Sequence, residues 1–189
     1  MRVAKHATSP SLYPQAPSPK PQAPSPKPQA LNLKAQPCHN QWMSLLSPAD
    51  QDKLRESFDE MTGPVRILFF TQTLDCEPCL QARQILDELP PLSDKISIEE
   101  VNFILEKEKA AQYGIDRVPA LALLGQDANG QPRDTRIRFL GSPSGYEFVS
   151  LVQAVLLVGG HDSQLTPDNR ALIAAVTTPT TIQVFSTPT

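Results

Sequence analysis

The feature that most constrains the fold of this chain is a pair of cysteines two residues apart, in Cys76-Glu77-Pro78-Cys79. The largely apolar run at 65–71 before the pair predicts a buried strand, and the run at 80–89 after it predicts a helix. The first sulfur therefore lies at the positive end of a helix dipole, which stabilises a thiolate. Pro78 fits the first helical turn, where its missing N–H would have had no partner. This arrangement favours thiol–disulfide chemistry in which Cys76 attacks and Cys79 resolves the mixed disulfide.

Zinc binding is an alternative interpretation of the same two cysteines. A structural zinc site needs four ligands, and the one further cysteine is Cys38, with His39 beside it. A chance pair of buried cysteines is another alternative, although the motif lies where a strand ends and a helix begins. We predict no bound metal and no cofactor.

Two carboxylates, Asp75 and Glu77, flank the first cysteine. Negative charge beside a thiol disfavours the thiolate and so opposes the helix dipole. Acidic residues are also common at helix starts, where they are solvated. We favour this second interpretation over a proton-relay role.

A proline precedes the next buried run, in Arg117-Val118-Pro119 before the apolar segment 120–125. Proline cannot donate to a sheet ladder and fits best at the first residue of a strand. An ordinary trans proline at a strand start remains an alternative to a cis one.

The elements around these two motifs alternate in type. A capped helix is expected from Ser47-Pro48, strands at 65–71 and near 96–103, a charged helix at about 104–113, and a hairpin turn at 127–130. A half-buried strand at 135–140 and an amphipathic helix at 146–158 follow. The order is α-β-α-β-α-β-β-α, which predicts an α/β fold.

Three segments resemble a known family: 68–71 before the cysteines, Val118-Pro119, and 138–148. On them the sequence resembles the thioredoxin superfamily and, within it, the glutaredoxin-like protein disulfide oxidoreductases, which carry two thioredoxin units in one chain. The resemblance implies a thioredoxin-like fold with a central mixed sheet flanked by helices. It also implies that Pro119 is cis and that the backbone of Val118 docks the extended chain of a substrate. The implied activity is a thiol–disulfide oxidoreductase that reduces, forms or isomerises protein disulfides through Cys76 and Cys79.

The chain divides into three predicted segments. Residues 1–46 carry the heptapeptide Gln-Ala-Pro-Ser-Pro-Lys-Pro twice and are predicted to be a disordered, Pro-rich arm. The conformation of 31–46 stays open, and Trp42, Met43, Leu45 and Leu46 are candidates for a short apolar anchor that docks on the folded part. Residues 47–160 form the thioredoxin-like domain. Residues 161–189 repeat its beginning, a capped helix and then a strand near 182–185, and read as the start of a truncated second unit. A helix and strand that merely extend one domain are the alternative.

Composition and charge indicate which classes of partner to expect. A net charge of −3 gives no indication of nucleic acid or an anionic membrane as a partner. No apolar stretch follows the basic N-terminus as in a secretory signal, and the apolar run at 151–158 is too short to span a bilayer. We therefore expect a cytoplasmic protein whose partners are protein disulfides and a redox reductase of the thioredoxin-reductase kind. A thioredoxin-fold binding module with little turnover, because the second cysteine pair is missing, is the alternative function.

Overall fold

The computed structural model describes residues 45–186, which lie in the second of two units of the chain, 1–40 and 41–189. Most of the predicted disordered arm, with Cys38, His39 and Trp42, lies outside the described residues. The helices and strands in chain order are α1 (Pro48–Asp59), β1 (Val65–Thr71), α2 (Glu77–Asp87), a 3-10 turn (Pro90–Leu92), β2 (Ile96–Asn102), α3 (Lys107–Gln112), β3 (Ala120–Gln126), β4 (Pro132–Leu140), α4 (Tyr146–Val158) and α5 (Pro167–Ala174).

Two helices begin as the Ser/Thr-Pro signals predict. The Ser47 side chain accepts a hydrogen bond from the Asp50 N–H at 3.2 Å, with proline at the first helical position. Thr166 does the same for the Asn169 N–H at the start of α5, at 3.3 Å. Such caps satisfy N–H groups that the helix itself leaves without a partner.

The four strands form one mixed sheet in the order β2-β1-β3-β4. Strand β1 pairs in parallel with β2 and antiparallel with β3, and β3 and β4 form an antiparallel hairpin. Strand β1 is therefore hydrogen-bonded along both edges. All its residues except Arg66 are buried, as expected of a central strand.

The sheet separates two apolar cores, because successive side chains of a strand point to opposite faces. On one face Ile67 and Phe69 of β1 pack in a cluster with buried side chains from each of α1, α2 and α4. On the other face Leu68 and Phe70 pack in the cluster that includes Ala110 of α3. Helices thus cover both faces, and the predicted α/β class with a mixed sheet flanked by helices is confirmed.

Helix α4 fixes the orientation of the layers. Gly159, the residue directly after α4, accepts hydrogen bonds through its carbonyl from the N–H groups of Thr62 (2.8 Å) and Gly63 (3.0 Å), just before β1 begins. The C-terminal end of α4 therefore lies where β1 starts. Its N-terminal end, at Tyr146, lies toward the end of the sheet at which β1 finishes and the chain continues to the cysteines.

One helix is shorter than the sequence predicts. The expected helix at about 104–113 is confined to Lys107–Gln112. The Asn102 side chain accepts hydrogen bonds from the N–H groups of Ile104 and Leu105, both at 3.0 Å. These bonds hold residues 103–105 in a turn, which is how asparagine competes with a helix.

The C-terminal segment corrects one expectation, because the strand expected near 182–185 does not form. The described part of 166–189 is largely exposed: α5 buries no side chain, and Phe185 is 90% exposed. A strand needs a partner for its ladder hydrogen bonds, and the described sheet ends at β2 and β4 without adding this segment. One polar contact does hold it, from the Ser186 hydroxyl to the Glu147 carboxylate at the start of α4. The assignment of 161–189 to a second unit stays a prediction.

The close approach after α4 generates a stability prediction. Gly160 has φ +95°, and a Cβ added there would meet the Thr62 hydroxyl well inside van der Waals contact. We expect Gly160→Ala to lower the free energy of unfolding by about 1–3 kcal/mol, measured by urea titration. The control is Gly63→Ala, where an added Cβ meets nothing within 4 Å. Equal unfolding midpoints for the two variants would contradict the prediction.

Candidate functional site

The cysteine pair stands at the junction that the sequence predicts. After β1, residues 72–75 form a short loop in which the Gln72 side-chain amide donates to the Leu74 carbonyl at 2.8 Å. Asp75 takes a left-handed conformation, with φ +56°. Cys76 is the N-cap residue directly before α2, and the Cys79 N–H donates to the Cys76 carbonyl at 3.2 Å. The loop thus turns the chain so that Cys76 stands at the N-terminus of the helix.

Cys76 and Cys79 form a disulfide, with their Cα atoms 5.3 Å apart. Their environments differ. Cys76 is half-buried, whereas Cys79 is only 4% exposed and faces the interior one turn further along α2. A partner can therefore approach the Cys76 sulfur more readily than the Cys79 sulfur.

The two acidic neighbours of Cys76 are exposed. Asp75 lies in the loop and Glu77 in the first turn of α2, where a helix dipole favours negative charge. Exposed charges are strongly screened by water and salt. This exposure favours the interpretation that both carboxylates are solvated.

Pro119 is brought to the same end of the sheet. The Val118–Pro119 peptide bond is cis, which confirms that expectation. Ala120 pairs with Phe70, so the start of β3 lies beside the end of β1, from which the chain continues to Cys76. Pro119 is buried and Val118 half-buried. The Pro119 carbonyl also accepts a hydrogen bond from the Gly141 N–H at 2.8 Å.

An ion pair precedes the cis proline. The Arg117 guanidinium donates two hydrogen bonds to the Asp116 carboxylate, at 2.7 and 2.9 Å. These bonds hold the pKa of Asp116 below its usual range and raise that of Arg117 above its own. Both groups therefore stay charged at neutral pH, and the pair places two opposite charges directly before Val118.

Exposed apolar side chains around this end of the sheet were missed by the sequence analysis. Leu74 is 77% exposed in the loop before Cys76, and Leu80 is 69% exposed directly after Cys79. Leu140, at the end of β4, and Tyr146, at the start of α4, are also exposed. The signal in the sequence was that Leu74 and Leu80 adjoin the motif itself. Apolar groups exposed beside a reactive group are typical of a docking surface.

The zinc alternative has little support in the described part of the chain. Within residues 45–186 no group of three or more His, Cys, Asp or Glu side chains is placed to hold a metal ion. Cys38 and His39, which that alternative invokes, lie outside the described residues.

None of the described helices is long and apolar enough to cross a membrane.

Comparisons with known proteins agree with this geometry. The probable thioredoxin of Methanothermobacter thermautotrophicus is 33% identical over 89 residues, which cover 47% of this chain and 92% of that protein. The alkyl hydroperoxide reductase component AhpF of Escherichia coli is 31% identical over 113 residues, 59% of this chain. This match spans only 18% of the length of that protein. No protein-family model matches the sequence.

Solved structures show the same fold. The NTD_N/C domain of the alkylhydroperoxide reductase of Enterococcus faecalis matches with a TM-score of 0.61 and 33% identity, over 69% of this chain and 60% of that one. A protein disulfide oxidoreductase from Aeropyrum pernix matches with a TM-score of 0.57 and 20% identity, over 68% and 54%. The chain belongs to the thioredoxin superfamily of redox proteins, and the predicted thioredoxin-like fold is confirmed.

The difference in burial predicts an order of reactivity. After reduction of the disulfide, limited alkylation at mildly acidic pH should label Cys76 before Cys79, because Cys76 is more accessible and caps α2. Mass spectrometry of the two sites, in a Cys38→Ser background that removes the third thiol, measures the order. Labelling of Cys79 first would reverse the roles of the two cysteines.

Proposed function

We propose that the chain is a thiol–disulfide oxidoreductase acting on protein disulfides, with Cys76 as nucleophile and Cys79 as resolving thiol. The observation that carries the proposal is the Cys76–Cys79 disulfide at the start of α2, with one sulfur half-buried and the other buried. The thioredoxin-named relatives and the protein disulfide oxidoreductase fold neighbour support this class of redox enzyme.

The reaction follows from thiol–disulfide exchange. In the reduced protein, the Cys76 thiolate attacks one sulfur of a substrate disulfide, and the other substrate sulfur leaves as a thiolate. Cys79 then attacks the Cys76 sulfur of the mixed disulfide and releases the second substrate thiol. Two electrons have passed to the substrate, and the chain carries the Cys76–Cys79 disulfide. The same steps in reverse form a disulfide in the substrate.

Substrate docking is proposed beside this pair. Val118 lies two residues before β3, at the sheet end from which the chain leads to Cys76, and its backbone is the proposed hydrogen-bonding partner of an extended peptide. Leu74 and Leu80 provide apolar contact on either side of the cysteines. A protein segment that carries a disulfide next to apolar residues fits such a surface.

The electron donor is proposed by class. Each turnover in the reducing direction leaves a disulfide that a reductase of the thioredoxin-reductase kind must reduce. The relatives named as components of alkyl hydroperoxide reductase are consistent with a reductase as redox partner.

We propose a cytoplasmic location, where a reactive cysteine pair is more often catalytic than structural.

A binding module without turnover is the second candidate, and the exposed Leu74 and Leu80 favour it, because an apolar surface can hold a partner whether or not disulfides are exchanged. Turnover separates the two. A catalyst at low concentration converts many equivalents of substrate, whereas a binding module converts none.

The exchange mechanism predicts distinct effects for the two cysteines. With dithiothreitol as donor, Cys76→Ser should reduce a protein disulfide only at the uncatalysed rate, because the attacking sulfur is gone. Cys79→Ser should still attack once and accumulate a mixed disulfide, since nothing resolves it. Activity assays and the mass of the trapped adduct measure these outcomes. Undiminished turnover in Cys76→Ser would refute the assignment, and wild-type binding without turnover would support the module.

The proposed docking surface predicts that removing its leucines weakens the binding of protein substrates but not of small ones. The double variant Leu74→Ala, Leu80→Ala should raise KM for a protein disulfide by about tenfold, which corresponds to about 1.4 kcal/mol of lost contact. The rate with a small-molecule disulfide should change little, because such a substrate makes few of these contacts. The matched control is Leu157→Ala, an exposed leucine at the opposite end of α4. Equal KM values for the two variants would remove these leucines from the docking surface.

A further inference from the structure

An arginine of the cysteine-bearing helix reaches across to the sheet. Arg83 lies on α2, one turn after Cys79. Its guanidinium carbon is 5.5 Å from the centre of the Phe69 ring of β1. The same guanidinium forms an ion pair with the Glu100 carboxylate of β2. One side chain of α2 therefore contacts residues of two neighbouring strands.

The pairing of the two strands explains why Arg83 can contact both residues. Phe69 and Glu100 lie opposite each other in the parallel register of β1 and β2. Ile98, two residues before Glu100, packs against the same core as Phe69, so Glu100 faces the α2 side of the sheet as well. The ring and the carboxylate together suit a guanidinium, whose flat face lies on aromatic rings and whose N–H groups bind carboxylates.

The cysteine end of α2 is anchored to the core by small side chains. Cys79 and Ala82 are buried there, whereas the side chains at 77–78 and 80–81 are exposed. The N-cap residue Cys76 makes no side-chain hydrogen bond to the helix. In the oxidised protein the disulfide ties the two cysteines together, and reduction removes that link. Contacts that hold this end of α2 on the sheet then decide how readily the two sulfurs meet again.

We propose that Arg83 is a positioning residue for the resolving step, and that its contacts with Phe69 and Glu100 hold the cysteine end of α2 on the sheet after the disulfide has opened. This role depends on the proposed exchange through Cys76 and Cys79. In the resolving step the Cys79 thiol gives its proton to water, and the thiolate attacks the Cys76 sulfur of a mixed disulfide. The bond between the two cysteines forms, the bond from Cys76 to the substrate sulfur breaks, and the substrate leaves as a thiolate. Arg83 acts through the position of Cys79 and not on the reacting atoms.

Rapid mixing of the reduced protein with oxidised glutathione, followed by acid quench and mass spectrometry, separates the two exchange steps. Growth of the glutathione adduct measures attack by Cys76, and decay of the adduct to the internal disulfide measures resolution by Cys79. A Cys38→Ser background removes the third thiol. Arg83→Met keeps a good helix former but removes the guanidinium. It should slow the decay about fivefold, the factor that corresponds to about 1 kcal/mol of lost contact, and leave the growth unchanged.

Three further variants identify the contact. Glu100→Gln removes the charge of the partner and should slow the decay by a smaller factor than Arg83→Met. Arg83→Lys keeps a cation that can pair with Glu100 and lie over Phe69, and it should restore most of the wild-type rate. The matched control is Arg66→Met, because Arg66 pairs with Glu99 across the same two strands, at 3.3 Å, on the opposite face of the sheet from α2. This control should leave both steps unchanged.

Three results would overturn this role of Arg83. The first is a wild-type decay rate in Arg83→Met. The second is equal slowing in Arg83→Met and Arg66→Met, which would indicate a general loss of stability. The third is equal slowing of adduct growth and decay, which would place the effect at Cys76 instead of Cys79.

An equilibrium measurement keeps the test decisive if the adduct decays too fast to follow. In a glutathione redox buffer, a loosened dithiol form gains conformational freedom that the disulfide ring denies. Arg83→Met should therefore shift the cysteine pair toward the dithiol by about fivefold, and Arg66→Met should not. An unshifted ratio in Arg83→Met would contradict the proposed role. A wild-type protein that turns over no protein disulfide would refute the proposed function, while the glutathione measurements would still test Arg83.

Discussion

The burial of β1 is the constraint on which the site depends. Its side chains alternate between two apolar cores, and its backbone is paired on both edges. A slip of one residue would exchange the two faces and place every side chain in the wrong core. Replacing either of the buried Phe69 and Phe70 by alanine would lower the free energy of unfolding by about 3–5 kcal/mol. This loss is large compared with the roughly 5–15 kcal/mol that stabilises a typical domain. The end of β1 therefore has a fixed place, and Cys76 follows it by a short loop.

The second half of the site is brought there by strand direction. Cys76 and Pro119 are far apart in sequence, yet β3 runs antiparallel to β1, so that the start of one strand lies beside the end of the other. Strand β4 then returns antiparallel to β3, and its end at Leu140 pairs with Ala120. The loop after β4 is consequently tied to Pro119 through the Gly141 N–H. One mixed sheet thus gathers the cysteine helix, the cis proline and the start of α4 at a single end.

Much of this arrangement could be predicted from local signals in the sequence. Ser47-Pro48 and the run at 65–71 each specify one element without help from the rest of the chain, and α1 and β1 form as expected. The predictions failed where an outcome depends on a partner. Ile182, Val184 and Phe185 have the composition of a strand, but no described strand pairs with them. The helix α3 was predicted too long because the Asn102 side chain accepts hydrogen bonds from two N–H groups, which keeps the residues before α3 in a turn. An apolar pattern does not report such a bond. The exposed Leu74 and Leu80 were missed because a pattern of apolar residues predicts burial and not exposure.

In the proposed mechanism, the order in which the two sulfurs react rests on burial more than on charge. A helix dipole stabilises a charge at its first turn by about 0.3–1 kcal/mol. Exposed carboxylates such as Asp75 and Glu77 act against it, and water and salt screen their charges. Accessibility differs far more, because Cys76 is half-buried and Cys79 is enclosed by the unit. An incoming substrate sulfur reaches the Cys76 sulfur more readily, and Cys79 needs only to reach Cys76, one helical turn away. In the proposed mechanism, geometry therefore sets the order of the two exchange steps: the more exposed Cys76 meets the substrate, and the buried Cys79 meets Cys76.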